Sequence, residues 1–165
     1  MKAAIICYSF SGNTLRACYS LLRKFQAKGI DPDLIGLKPK EEARSFFKQG
    51  VQAFFKDRVE LTEVNSDLAK YELIIFASPV WEFTFAPALR AYLEKIINLE
   101  GKKVGCFLTY GSGLGRVKAR AELENIIREK NGRIVFSKDL SGSKTKDDAC
   151  LEEVFKPLFD ILNIK

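Results

Sequence analysis

The run Leu73-Ile74-Ile75-Phe76-Ala77 has no polar residue in it. A strand with one face in water alternates apolar and polar side chains. An unbroken run of this length must be covered on both faces, as in a parallel sheet between two layers of helices. Strands are expected at Lys2–Tyr8, Asp33–Leu37, Glu72–Ala77, Lys103–Thr109 and Ile134–Lys138. Between them, amphipathic spacing predicts helices over Asn13–Lys28, Pro87–Asn98, Arg116–Asn131 and Asp147–Leu162. Lys28-Gly29 and Asn131-Gly132 read as glycine stops. Alternating strand and helix implies right-handed βαβ units and a three-layer, doubly wound α/β fold.

Chain length suits one domain spanning 1–165. No apolar run is long enough to span a membrane. The first strand begins almost at the N-terminus, so no cleavable signal is expected. Cys7, Cys18, Cys106 and Cys150 form no C-x-x-C pair, and Cys7 and Cys106 sit in apolar runs as buried thiols. A reducing cytoplasm is the expected location.

Histidine is absent. That removes the commonest general base, the Ser-His-Asp and Cys-His arrangements, and most zinc sites. Chemistry on such a chain falls to a bound cofactor. Formal net charge is +6, and residues 83–165 carry 15 Lys+Arg against 11 Asp+Glu. Arg116, Lys118 and Arg120 form one basic cluster, and Lys138, Lys144 and Lys146 another. Each reads first as solvated surface. The sharper reading is a surface for an acidic partner or a phosphorylated ligand. No basic run is dense enough for nucleic acid.

One segment departs from the alternation. Leu37 and Tyr71 are separated by about thirty residues where one short helix would do. Phe47, Val51, Phe54 and Phe55 have helical spacing, and the Phe46–Phe55 stretch reads as a helix on the sheet or an aromatic flap over a ligand.

Three strand ends carry polar or aromatic residues of functional type. Ser9-Phe10-Ser11-Gly12-Asn13-Thr14, with Leu15 following, lies between the first strand and first helix. Hydroxyls, an amide and the free N–H groups of a helix start can wrap a phosphate without a lysine. Ser78-Pro79-Val80-Trp81-Glu82-Phe83 follows the third strand, and Trp81, Phe83 and Phe85 are expected in a surface loop, with at least one of them capping the core edge. Thr109-Tyr110-Gly111-Ser112-Gly113 follows the fourth, where glycines let the backbone approach a ligand. In a five-stranded parallel sheet ordered 2-1-3-4-5, these loops meet at one crevice outside the strands' carboxyl ends. A flat heteroaromatic ring on a phosphate tail fits that shape.

The first loop resembles the (S/T)-x-(S/T)-G-N-T phosphate loop of the flavodoxin family, and the Ser78–Trp81 stretch resembles that family's flavin-stacking loop. This likeness spans nearly the whole chain. It implies the flavodoxin-like fold and FMN as cofactor. Ser9, Ser11, Asn13 and Thr14, with backbone N–H groups from Ser11 to Leu15, would take the phosphate. Trp81 would stack on the ring system, and backbone of residues 79–83 would face its reactive edge. Thr109, Tyr110 and Gly111 would line the other side. Glu82 beside the ring would disfavour an anionic reduced ring. Carrier flavodoxins are strongly acidic, whereas this chain is basic, and Leu114 stands where a second stacking aromatic is usual.

Three functions follow. The favoured one is an electron carrier between redox partner proteins, acidic ones on the charge argument. The second is an FMN enzyme of the NAD(P)H-dependent quinone or flavin reductase type. The third is a phosphate-binding α/β domain without redox chemistry. Phospho-acceptor domains need aspartates where Ser9 and Ser78 stand, and a phosphatase C-x5-R loop fails because Arg16 lies too far from Cys7.

Overall fold

The computed structural model describes residues 1–40 and 59–164. The Phe46–Phe55 stretch, with its expected helix or flap, lies outside the described residues. In chain order the elements are β1 (Ala3–Cys7), α1 (Asn13–Ala27), β2 (Asp33–Gly36), β3 (Leu73–Trp81), β4 (Thr84–Phe85) and α2 (Pro87–Lys95). There follow β5 (Lys103–Tyr110), α3 (Arg116–Glu129), β6 (Arg133–Ser141), a 3-10 turn (Gly142–Lys146) and α4 (Asp148–Ile161).

Five strands pair in parallel in the order β2-β1-β3-β5-β6. This is the expected 2-1-3-4-5 arrangement once the short β4, which hangs antiparallel on β3, is set apart. Both faces of the sheet are covered. Ala4, Ile6, Ile74, Phe76, Val104 and Leu108 point into one core with Leu89 and Leu93 of α2 and Leu123 and Ile127 of α3. Ala3, Ile5, Leu73, Ile75 and Phe107 point into the other with Leu21 and Phe25 of α1 and Phe155 and Leu158 of α4. Successive side chains of a strand face opposite ways. Two covered faces therefore require an apolar residue at every position, which accounts for the run at 73–77.

Several boundaries differ from expectation, and β6, for one, runs on from Lys138 to Ser141. β3 does not stop at Ala77. Ser78 and Pro79 still pair with Leu108 and Thr109, and Val80 and Trp81 then pair with Phe85 and Thr84 of β4. The expected loop is thus a strand extension and a tight hairpin. Its two turn residues are Glu82 and Phe83, with Glu82 at φ 55°. α2 ends at Lys95, three residues before the expected Asn98. At the end of α3 the left-handed residue is Asn131 (φ 62°), and Gly132 instead packs against Ile127 where a Cβ would meet Cγ2 at 2.8 Å. Gly29 does close α1 in the left-handed conformation, as expected.

Candidate functional site

Register brings the three site segments to one level. Cys7 lies beside Ala77, and Ala77 beside Phe107. Ser9, Pro79 and Thr109 each follow two residues later, at the carboxyl end of the sheet. Adjacent strands lie about 4.8 Å apart, so the segments form one rim.

The first segment turns through Gly12, at φ 85°, into α1. No side chain caps α1, and a Cβ on Gly12 would have open space around it. The first N–H groups of a helix have no partner inside it, and the helix dipole adds partial positive charge at the same spot. Ser9 Oγ is buried and has no hydrogen-bond partner. A buried hydroxyl left unpaired is costly, and a phosphate oxygen is the kind of group that would satisfy it. These features fit an FMN phosphate.

Side chains beneath the loop tie it to distant elements. Thr14 and Thr109 share a buried hydrogen bond of 2.7 Å between their hydroxyls. Asn13 Oδ1 accepts from Arg16 Nη1 at 3.1 Å, and Thr145 Oγ1 lies 3.5 Å from it. Arg16 Nη1 also donates to Thr145 Oγ1 at 3.2 Å, and Thr145 Oγ1 donates to the Gly142 carbonyl at 2.8 Å. The 3-10 turn therefore packs directly on the start of α1. A Cβ on Gly142 would lie 2.7 Å from Asn13 Nδ2. Ser11 is exposed, while the Leu15 side chain packs into the α1–α4 core and leaves only its backbone for a ligand.

On the second segment, Trp81 is half-buried. Tyr8 and Phe10 approach it edge-to-face, with ring centroids at 6.0 and 5.8 Å. Trp81 thus joins the hairpin to the first segment through aromatic contacts. Pro79 and Val80 are half-buried, whereas Glu82 and Phe83 are exposed at the tip. Phe85 is fully buried and belongs to the core, filling the capping role expected of one of the three aromatics. Ser78 is also fully buried. Its hydroxyl accepts from Ala86 N–H at 3.0 Å and donates to the Pro79 carbonyl at 3.1 Å, so it fastens β4 rather than facing the crevice.

The third segment holds Thr109 buried, Tyr110 half-buried, and Gly111 and Ser112 exposed. Arg116 Nη1 donates to the Tyr110 hydroxyl at 2.9 Å, with the guanidinium 4.9 Å from the ring centroid. Gly113 lies against that ring. Gly115, at φ 74°, caps α3 and abuts the hairpin tip: a Cβ there would lie 2.2 Å from the Glu82 carbonyl oxygen. The second and third segments therefore touch backbone to backbone. Behind them, Arg90 donates to Thr84 Oγ1 at 2.7 Å and pairs with Glu122 at 2.8 Å, bracing β4 against α2 and α3.

The first basic cluster is largely committed internally. Arg116 lies on Tyr110, and Arg120 pairs with Asp139 at 3.1 Å and Glu124 at 3.8 Å. Lys118 alone extends, with Nζ 5.9 Å from the Phe83 ring centroid. Burial raises the Asp139 carboxyl above its usual range, with Arg120 opposing that shift, and Asp139 Oδ1 is buried without a partner. Lys138, Lys144 and Lys146 are exposed. Burial pushes the Cys106 thiol up to about 11, so it is inert at neutral pH. No group of metal-ligating side chains occurs among the described residues, nor does any helix there have the length and apolarity to cross a membrane.

Sequence reasoning missed Arg16 and Thr145. Arg16 carries a local signal, since it lies three residues after Asn13 on the same helix. Thr145 carries none, because the pairing spans 132 residues.

Residues 1–147 match a family model described as NADPH-dependent FMN reductase. Among solved structures, a flavoprotein from Lactobacillus acidophilus in complex with FMN is 22% identical, with 90% of this chain and 98% of that one covered at a TM-score of 0.66. A flavodoxin from the domain Archaea is 20% identical over 99% and 97% of the two chains, TM-score 0.67. Flavodoxin 1 from Bacillus cereus is 17% identical over 96% and 97%, TM-score 0.63. No curated protein matches the chain.

Proposed function

Because the chain belongs to the NADPH-dependent FMN reductase family, we propose that this FMN-binding protein works as an oxidoreductase, taking a hydride from a reduced pyridine nucleotide and passing the electrons to a quinone or a flavin. The family match supports the reductase reading, and FMN binding is supported by the meeting of an uncapped helix start, an unpaired buried Ser9 hydroxyl and the Trp81 hairpin at one end of the sheet. When bound, FMN supplies the redox chemistry. The protein's own part is to hold and orient it. Ser9, Ser11, Asn13, Thr14 and the N–H groups from Ser11 to Leu15 receive the phosphate. Trp81, steadied by Tyr8 and Phe10, offers an aromatic surface to the ring system, while Pro79, Val80, Glu82 and Phe83 border its edge. Thr109, Tyr110, Gly111, Ser112 and Gly113 close the far side, and Ser78 supports the hairpin from below. The exposed cations Lys118, Lys144 and Lys146 favour a phosphate-bearing nucleotide.

A second reading, an electron carrier between proteins, draws support from the hairpin tip. Phe83 is 49% exposed there, with Lys118 beside it, a small apolar and basic surface for a partner with carboxylates. The test is spectroscopic and then kinetic. FMN should bind with its fluorescence quenched, and the loaded protein should oxidise NADPH repeatedly when a quinone or free FMN is supplied. Absence of turnover, with reversible chemical reduction of the bound cofactor, would favour the carrier. A protein that ignores FMN would refute both.

A further inference from the structure

The phosphate loop carries no cation of its own, yet one reaches it from the next turn of α1. Arg16 Nη1 donates to Asn13 Oδ1 at 3.1 Å and to Thr145 Oγ1 at 3.2 Å, while the single Thr145 hydroxyl proton goes to the Gly142 carbonyl at 2.8 Å. The Arg16 bond orients the Asn13 amide, because only its oxygen can accept. The opposite end, Nδ2, faces the 3-10 turn, where a Cβ on Gly142 would lie 2.7 Å away. The same arrangement holds a guanidinium at the loop's edge, always charged. Gly142 and Thr145 keep it there from the far side, since the 3-10 turn leaves no room for a Cβ between itself and Asn13.

We propose that Arg16, steadied by Thr145, is a specificity residue that selects phosphorylated over unphosphorylated flavin and favours the phosphate dianion. The inference rests on the FMN-binding reading and says what enforces it. The helix start already favours negative charge through its partial dipole, and a nearby fixed cation adds a full charge to that preference. A phosphate monoester loses its second proton at about pH 6. Favouring the dianion lowers that value in the complex. FMN affinity should therefore rise as pH increases through about 6, and riboflavin affinity, having no phosphate, should not.

The experiment measures FMN and riboflavin binding by flavin fluorescence quenching between pH 5 and 8 at low salt. The proteins are the wild type, Arg16→Gln, Arg16→Lys and Thr145→Val. Arg23→Gln serves as control, because it removes the same charge from an exposed position two turns along the same helix. Arg16→Gln should weaken FMN binding roughly tenfold at pH 8, leave riboflavin unchanged and flatten the pH profile. Arg16→Lys should restore part of the loss, Thr145→Val should weaken FMN less than Arg16→Gln, and Arg23→Gln should behave as wild type. Parallel weakening of FMN and riboflavin in Arg16→Gln, or an unchanged FMN pH profile, would reduce Arg16 to a structural residue and overturn the proposal. Equal losses in Arg23→Gln and Arg16→Gln would overturn it too, by assigning the effect to net charge. Wild-type protein that binds riboflavin as tightly as FMN would overturn the specificity claim while leaving flavin binding intact. Wild-type protein that binds neither would refute the cofactor reading itself, before any variant is compared.

Discussion

Gly115→Ala tests whether the hairpin and the third segment form one unit. Two costs are separable. The first is conformational: at φ 74°, an alanine sits in the left-handed region, which costs about 1–2 kcal/mol. Gly101 has the same φ, and a Cβ there would meet nothing within 4 Å. Gly101→Ala therefore carries only this first cost. The second cost is steric. At position 115 the new Cβ would lie 2.2 Å from the Glu82 carbonyl oxygen and 2.7 Å from Phe83 Cα. Both are backbone atoms in a two-residue hairpin and cannot rotate away. Overpacking of this kind costs about 1–3 kcal/mol. Gly115→Ala should thus lose about 2–5 kcal/mol against about 1–2 for Gly101→Ala. For a chain of this size each kcal/mol lowers Tm by about 2–4 °C. Urea unfolding gives both values from the midpoints at unchanged slope. FMN titration then reports the site: Gly115→Ala should weaken binding because relief of the clash moves Glu82, Phe83 and Trp81, whereas Gly101→Ala, at the other end of β5, should not. Equal stability losses in the two variants would refute the close packing of hairpin and loop.

Trp81→Leu should keep the fold, since the side chain is only half-buried, but it should weaken FMN binding and restore much of the flavin fluorescence, read by titration. Glu82→Gln should raise the potential of the second electron, because a carboxylate beside an anionic reduced ring repels it. An unchanged midpoint in a redox titration would remove Glu82 from that role. Asp139 has its carboxyl raised by burial, so the folded state holds its proton to higher pH than the unfolded chain does. Its contribution to stability is then greatest at low pH and falls as pH rises from the unfolded value through the folded one. In urea melts from pH 3 to pH 7, the stability of wild type relative to Asp139→Asn should fall as pH rises. A difference that instead grew in favour of wild type would show that pairing with Arg120 outweighs burial.

The central strands were legible because β1, β3 and β5 carry near-continuous apolar runs, and their order follows from the doubly wound pattern of alternating strands and helices. The strand–turn–helix form of the first segment was legible because it is local: its parts are contiguous in the chain. The hairpin was not. Val80 and Trp81 become strand only because Thr84 and Phe85 fold back to pair with them, and a tight turn at Glu82-Phe83 lacks the asparagine or glycine that usually marks one. Ser78 reads as a ligand residue by position, yet its hydroxyl is taken by Ala86 and Pro79. Basic spacing on α3 suggested an open patch, whereas Arg116 and Arg120 lie against an aromatic ring and a half-buried carboxylate. Such long-range pairings leave no periodicity in a sequence.

The contact of Asn13 with Thr145 also sets an order of events during synthesis. The two partners are 132 residues apart, so one is made well before the other. Until the segment after β6 has been made, the amide of Asn13 has only its neighbour Arg16, and Thr14 likewise waits 95 residues for Thr109. A nascent chain holding only β1, α1 and β2 has the loop without its clamp. The loop therefore gains its long-range partners only once β5 and the 3-10 turn have folded against α1.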